Sequence, residues 1–143
     1  MARPDLTLLN PAHYPFSCEI QPRYTDLDTN AHINNVAYVD LMQEARVRFH
    51  HASAYGEAVA GMTSMAASFS IEYLGQGFHP DPLTVHVGIS AMGRTSHTVA
   101  ELMMQNGAVI AFAQAVLVCV DNGKPAAMPD SFRQAVGDWM VKA

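Results

Sequence analysis

Apolar and polar residues alternate with a period of two along several stretches of the chain, a pattern that predicts β-strands. The last of these stretches is apolar almost throughout, which indicates that both of its faces are covered. Asn106-Gly107 predicts a hairpin turn before it, because both residues tolerate positive φ. The five predicted strands cover residues 15–24, 62–74, 83–90, 96–105 and 108–120.

A broad apolar band with helical spacing lies between the first two predicted strands. The helix is predicted to begin at Val36, capped by Asn34 or Asn35, and to end near Tyr55-Gly56, where the glycine is a stop signal. One mostly buried helix against a five-stranded antiparallel sheet is an α+β architecture.

The two ends of the chain give weaker patterns. Residues 1–13 show no clear periodicity and are predicted to be a loose lead-in. A short C-terminal helix is predicted over residues 131–140, capped by Asp130 or Ser131. The 143 residues carry no internal repeat or linker, so we expect one domain over residues 1–143.

Composition excludes several classes of function. The net charge is −5 with only eight Lys and Arg, which argues against nonspecific nucleic-acid binding. No apolar run is long enough to span a membrane, and the N-terminus lacks a signal-peptide core, so we expect a cytoplasmic protein without a membrane partner. Cys18 and Cys119 do not make a disulfide framework and are expected to be buried thiols.

Common catalytic and cofactor motifs are missing from the sequence. There is no Gly-x-Ser-x-Gly, His-Glu-x-x-His, Cys-x-x-Cys, P-loop or Gly-x-Gly-x-x-Gly. The seven histidines do not have metal-ligand spacing, since His50 and His51 are adjacent and diverge on a helix. We therefore predict no metal site and no cofactor.

A cluster of polar residues lies directly before the predicted helix. A helix N-terminus presents free N–H groups and a positive dipole end, which stabilise negative charge on a carbonyl oxygen. A nearby carboxylate can attack that carbonyl or activate a water. Composition alone favours a polar capping loop, because Asp and Asn prefer turns for local reasons. The cluster comprises Asp26, Asp28, Asn30, His32, Asn34 and Asn35.

The order Arg-Tyr-x-Asp-Leu-Asp-x-x-x-His-Ile-Asn-Asn-x-x-Tyr over residues 23–38, followed by Glu44-Ala-Arg46, resembles the hot-dog acyl-CoA thioesterases of the 4-hydroxybenzoyl-CoA thioesterase-like superfamily. The likeness runs from about residue 15 to 132. Its weaker parts are residues 71–74, 92–96, 116–121 and Pro129. It implies a sheet wrapped around a long central helix, and a homodimer or homotetramer with active sites between subunits.

The resemblance also implies roles for individual residues. Asp28 matches the catalytic carboxylate, and Asn35 or a neighbour matches the helix-start N–H that polarises the thioester. Asn30 and His32 resemble residues that assist the carboxylate in plant acyl-carrier-protein thioesterases. Ala31 departs from the glycine that common bacterial relatives carry before this histidine.

Three more residues match substrate-binding positions. Tyr38 is expected in the core or the wall of the acyl pocket, Ser68 on a strand facing the partner's loop, and Arg94 in a turn that touches CoA phosphates in some relatives. The expected substrate is acyl-CoA. A non-catalytic acyl-CoA or lipid-binding module, an acyl-carrier-protein thioesterase and a hot-dog hydratase remain the alternatives.

Overall fold

The computed structural model describes residues 4–53, 55–59 and 61–142, in which the elements follow the predicted order. The long helix α1 spans Asn35–Ala52, and the short helices α2 and α3 span Tyr55–Ala58 and Asp130–Ala135. The strands β1 to β6 span, in order, Phe16–Ile20, Thr63–Tyr73, Leu83–Met92, Ser96–Gln105, Ala108–Asp121 and Lys124–Pro125.

The sheet is antiparallel throughout and has the order β1-β3-β4-β5-β2, with the two-residue β6 attached to the end of β5. Next to the β1 edge, Val87 of β3 pairs with Phe16 of β1 on one side and with Glu101 of β4 on the other. Within the described residues β2 pairs only with β5, so β2 is an edge strand. The α+β prediction of five strands around one long helix is confirmed.

Helix α1 is buried on the side that faces the sheet. Met42, Ala45 and Phe49 are fully buried, and the Phe49 ring meets Phe16 edge to face with centroids 5.7 Å apart. Alanines at 111, 113 and 115 of β5 lie in the same core cluster. Their small side chains let the helix and the sheet approach closely, which dense core packing requires.

Two polar pairs lie in the core between α1 and β4. Arg46 Nη1 donates to Glu101 Oε2 at 3.1 Å, and burial raises the pKa of Glu101 to about 8 although the guanidinium opposes this. Farther along, His50 Nε2 lies 3.2 Å from His97 Nε2. Burial lowers the pKa of His50 to about 3 and that of His97 to about 4. Both histidines are therefore neutral at pH 7.

The outer face of the sheet is covered by residues near both ends of the chain. Tyr14 and Leu8, joined by a hydrogen bond from the Tyr14 hydroxyl to the Leu8 carbonyl, pack there with Val141 against Leu102 and Phe112. The loose lead-in prediction is wrong for residues 6–13, which form two 3-10 turns. Residues 1–3 lie outside the described ranges.

Several predicted boundaries shift by a few residues. Helix α1 ends at Ala52 rather than near residue 55, because Ser53 takes an extended backbone conformation. Gly56 therefore lies inside the short helix α2 instead of stopping α1. The C-terminal helix ends at Ala135 and continues as a 3-10 turn to Trp139, so the prediction over 131–140 holds only in part.

Within the described ranges, no helix is both long enough and apolar enough to cross a lipid bilayer. Cys18 is half-buried and Cys119 is buried, and both are free thiols. No group of three or more His, Cys, Asp or Glu side chains there lies close enough together to hold a metal ion.

Candidate active site

The loop before α1 is fixed at its base. The carboxylate of Asp26 is buried, accepts from the Arg23 backbone N–H at 2.8 Å, and forms an ion pair with the Arg23 guanidinium at 2.8 Å. Burial raises the pKa of Asp26, but the hydrogen bonds and charge of Arg23 outweigh this and hold it below its usual value. Asp26 therefore anchors the loop and does not face the cavity described below.

Farther along, backbone hydrogen bonds close the loop and tie it to the sheet. Leu27 and Ile33 form an isolated antiparallel bridge, which makes residues 28–32 a tight loop. The Ile33 N–H also donates to the Gly77 carbonyl at 2.8 Å. This bond ties the loop to the segment between β2 and β3, at the end of the sheet that carries the turn at residues 106–107.

Within the loop, one oxygen of Asp28 is held by the backbone. Its Oδ1 accepts from the N–H of Asn30 at 2.9 Å and from the N–H of His32 at 3.2 Å. No donor to Oδ2 is present among the described residues. The side chain is exposed, so Oδ2 is open to water or substrate while Oδ1 fixes the orientation of the carboxylate.

One backbone N–H group in the first turn of α1 has no hydrogen-bond acceptor in the described structure. The Asn34 side chain caps the helix by accepting from the N–H of Val36 at 2.7 Å and of Ala37 at 3.4 Å. Tyr38 N–H donates to the Asn34 carbonyl at 3.3 Å. In the described structure the Asn35 N–H has no acceptor. It lies at the positive end of the helix dipole, where a developing oxyanion is stabilised.

Asp28 and Asn35 line the same cavity, which has a volume of 340 Å³. Its wall includes the aromatic rings of Tyr38 and Tyr73, which meet edge to face with centroids 5.2 Å apart. The Tyr73 hydroxyl donates to the Asn35 carbonyl at 2.7 Å. The remaining lining residues are Ile33, Gly75 and Gln76.

Of the predicted site residues, Asp28, Asn35 and Tyr38 are brought together in this cavity. Asn30 and His32 touch Asp28 through their backbone N–H groups, and their side chains do not line the cavity. The His32 ring instead packs edge to face on Phe78, with centroids 5.2 Å apart.

Ser68 and Arg94 lie away from the cavity of the same chain. Ser68 pairs with Val116 in the middle of β2, five residues before the cavity residue Tyr73. Arg94 lies in the turn between β3 and β4, at the opposite end of the sheet. At about 3.3 Å per residue, the ten residues of β4 separate this turn from the cavity end by roughly 30 Å.

Tyr73 is not among the site residues predicted from the sequence. The alternating pattern places Phe69, Ile71 and Tyr73 on one face of β2, and this shared face was the sequence feature that could have indicated Tyr73. Gly75 and Gln76 gave no comparable signal, because they belong to a loop whose path depends on tertiary contacts.

Known proteins match most of the chain. The family model of the thioesterase-like superfamily matches residues 22–136. A thioesterase of Thermus thermophilus, solved in complex with coenzyme A and zinc, is similar at 27% identity with a TM-score of 0.77, covering 87% of this chain and 93% of that one. No curated protein matches this chain.

Two other solved structures are similar in fold. One, described as a predicted thioesterase from Bacillus stearothermophilus, has 25% identity and a TM-score of 0.80, covering 90% of this chain and 98% of that one. A 1,4-dihydroxy-2-naphthoyl-CoA thioesterase from Synechocystis has 20% identity and a TM-score of 0.74, covering 86% and 96%. With a matching family model across most of its length and the hot-dog arrangement of sheet and helix, the chain belongs to the thioesterase-like superfamily.

Proposed function

We propose that this thioesterase hydrolyses acyl-CoA to a free acid and CoA, with Asp28 and Asn35 as the reacting pair. One observation carries the proposal: Asp28, whose carboxylate has a single open oxygen, and Asn35, whose helix-start N–H has no acceptor in the described structure, line the same cavity. This combination provides both a base or nucleophile and an oxyanion donor, the two parts that acyl transfer from a thioester requires.

In the proposed reaction the thioester carbonyl oxygen accepts a hydrogen bond from the Asn35 N–H. Asp28 either removes a proton from a water that adds to the carbonyl carbon, or adds directly to give a mixed anhydride that water then hydrolyses. In both routes the carbon–sulfur bond breaks and the thiolate leaves, taking up a proton to give CoA. Asn30 and His32 hold Asp28 in place through their N–H groups.

CoA is the proposed carrier of the acyl group. The Thermus relative was solved with coenzyme A, and the name of the Synechocystis relative specifies a CoA thioester. The net charge of −5 also disfavours an acidic carrier protein as the partner. The cavity lining is mixed, and Ile33 with the aromatic rings of Tyr38 and Tyr73 supplies the apolar wall that an acyl group requires.

We further propose that the active unit is a homodimer. Apolar side chains are exposed on α1 and on the edge strand β2, including Val36 at 69%, Val47 at 47% and Met65 at 59%. An open strand edge and exposed apolar residues favour pairing with a second copy. In such a dimer the partner's Ser68 and Arg94 complete the site, Ser68 by positioning water and Arg94 by contacting CoA phosphates.

Replacing Asp28 with asparagine tests the proposed chemistry. The side chain keeps its shape and one oxygen but loses its basicity, so kcat for acyl-CoA hydrolysis should fall by about 10²–10⁴-fold. Release of free thiol from a panel of short-chain, long-chain and aromatic acyl-CoAs measures the rate.

The matched control is Asp138→Asn, exposed in the 3-10 turn after α3, which contacts β3 and not the edge strand β2; it should keep its activity. Thermal unfolding checks that both variants fold. If Asp28→Asn is folded and hydrolyses several acyl-CoAs at nearly the original rate, the proposed role of Asp28 is wrong. Binding of acyl-CoA by the unmodified protein without thiol release would favour a binding module.

A further inference from the structure

The hydroxyl of Tyr73 connects the last residue of β2 to the first residue of α1. It donates to the Asn35 carbonyl at 2.7 Å across 38 positions of sequence. Asn35 lines the candidate cavity, and in the described structure its own N–H has no acceptor. Tyr73 therefore acts directly on the residue that carries the proposed oxyanion donor.

The first residue of a helix is intrinsically weakly held. Helix ends fray, and the first N–H groups receive no bond from within the helix. The Asn34 cap fixes the N–H groups of Val36 and Ala37 but leaves Asn35 without such support on its N–H. A carbonyl oxygen has two acceptor sites, so the Asn35 carbonyl can accept from both the helix and Tyr73.

The Tyr73 ring is itself held in place. It meets the ring of Tyr38 edge to face, with an interplanar angle of 81°, and Tyr38 is only 3% exposed. Edge-to-face contacts restrict ring orientation, so the hydroxyl is aimed at Asn35 before substrate arrives. The bond also joins α1 to the sheet edge that the proposed dimer covers.

We propose that Tyr73 is a positioning residue for thioester hydrolysis, fixing the Asn35 N–H through the hydrogen bond to the Asn35 carbonyl. The expected change in kcat rests on the proposed function. The hydrogen bond itself can be detected by amide hydrogen exchange, which does not depend on that function. Tyr73 is not a catalytic residue in this scheme, because its hydroxyl donates a hydrogen bond to the backbone and does not contact the substrate.

Tyr73→Phe tests this role because it removes only the hydroxyl and keeps the ring contact with Tyr38. We expect kcat to fall on the order of tenfold with KM changed less than about twofold. Deleting an oxyanion donor lowers kcat by about 10²–10³-fold, and displacing the donor should lower kcat by only part of that factor. Tyr24→Phe is the matched control, because Tyr24 is 77% exposed and its hydroxyl makes no hydrogen bond in the described structure; its kcat should not change.

A second measurement separates this inference from the proposed function. Amide hydrogen exchange of the first turn of α1, resolved by NMR, should become faster at Val39, whose N–H bonds to the Asn35 carbonyl within the helix, in Tyr73→Phe but not in Tyr24→Phe. An unchanged exchange rate, an unchanged kcat, or a rise in KM alone would each overturn the positioning role. If the unmodified protein hydrolyses no acyl-CoA, the proposed function fails and the exchange rates alone decide whether Tyr73 holds Asn35.

Discussion

Ala31 takes a backbone conformation that alanine disfavours. Its φ is 59°, in the left-handed region, and it lies in the tight loop that presents Asp28. Its N–H donates to the Asp28 carbonyl at 3.1 Å, so the conformation is held by the loop that it closes. The loop therefore keeps the backbone shape that a glycine would favour, at a cost of about 1–2 kcal/mol for the methyl group.

Ala31→Gly should accordingly stabilise the protein. The relief of left-handed strain exceeds the roughly 0.5–1 kcal/mol that glycine loses through unfolded-state entropy, giving a net gain of about 0.5–1 kcal/mol. Urea unfolding measures the free energy. Ala12→Gly, in a 3-10 turn without positive φ, should lower stability instead, and a loss of stability in Ala31→Gly would show that the strain argument is wrong.

At this scale the sequence predicted part of the arrangement of the loop, and its chemistry stays a prediction. The polar cluster before the helix indicated a carboxylate near free N–H groups, and Asp28 and Asn35 do line one cavity. The part taken by Asn30 and His32 was not predictable, because it comes from backbone N–H groups that every residue other than proline has. Their predicted side-chain roles stay predictions.

At the scale of elements, α1 and β4 are joined by the neutral pair His50 and His97. Burial holds the pKa of each well below 6.5, at about 3 and about 4, and for His50 the neighbouring His97 and Arg46 act in the same direction. The unfolded chain binds protons at these residues near pH 6.5, whereas the native protein does not. Stability therefore falls as pH decreases through the window from about 6.5 to about 4.

We expect the free energy of unfolding to drop by up to about 1.4 kcal/mol per pH unit for each buried histidine in this window. His97→Gln should make the fall between pH 7 and pH 5 shallower, although it lowers stability at pH 7. Urea unfolding at several pH values measures the slope. The control His51→Gln, exposed on the same helix, should keep the original slope, and an equal slope in all three proteins would contradict the assignment.

The order and type of the main elements were predictable, because the apolar residues that form the core recur with the period of a strand or of a helix. The ends of the elements were less predictable. Gly56 is the strongest stop signal near the end of α1, yet Ser53 ends the helix three residues earlier through its extended backbone. The first strand likewise ends at Ile20 rather than Tyr24, because residues 24–26 form a 3-10 turn that holds Asp26.

At the scale of the whole molecule, one chain carries its candidate site residues at both ends of its sheet. Asp28 lies at the end with the turn at residues 106–107, and Arg94 lies at the other end. A symmetric dimer in which the edge strands run antiparallel brings the partner's Arg94 toward Asp28. The resemblance indicated a shared site, but strand register in a single sequence does not show which end each residue reaches.

Mixing two impaired variants tests this arrangement. If each site combines Asp28 of one subunit with Arg94 of the other, a heterodimer of Asp28→Asn and Arg94→Ala contains one unmodified site. Random exchange of subunits from an equal mixture should then restore about a quarter of the original activity at low substrate concentration.

Each variant alone, carried through the same exchange procedure, is the control. If both residues act within one chain, no combination contains an unmodified site and activity in the mixture stays at the average of the two variants. Sedimentation of the unmodified protein as a monomer would exclude the shared site independently.

The buried pair of Arg46 and Glu101 limits how this sequence can change over evolution. Loss of either partner leaves a buried ionisable group without compensation in the core and costs about 3–5 kcal/mol, which approaches the whole stability of a small domain. Replacement of both by apolar residues costs little, but it has to pass through a single change that unfolds many descendants. The pair can therefore persist in a lineage because each single change away from it destabilises the protein, whether or not the two side chains serve the reaction.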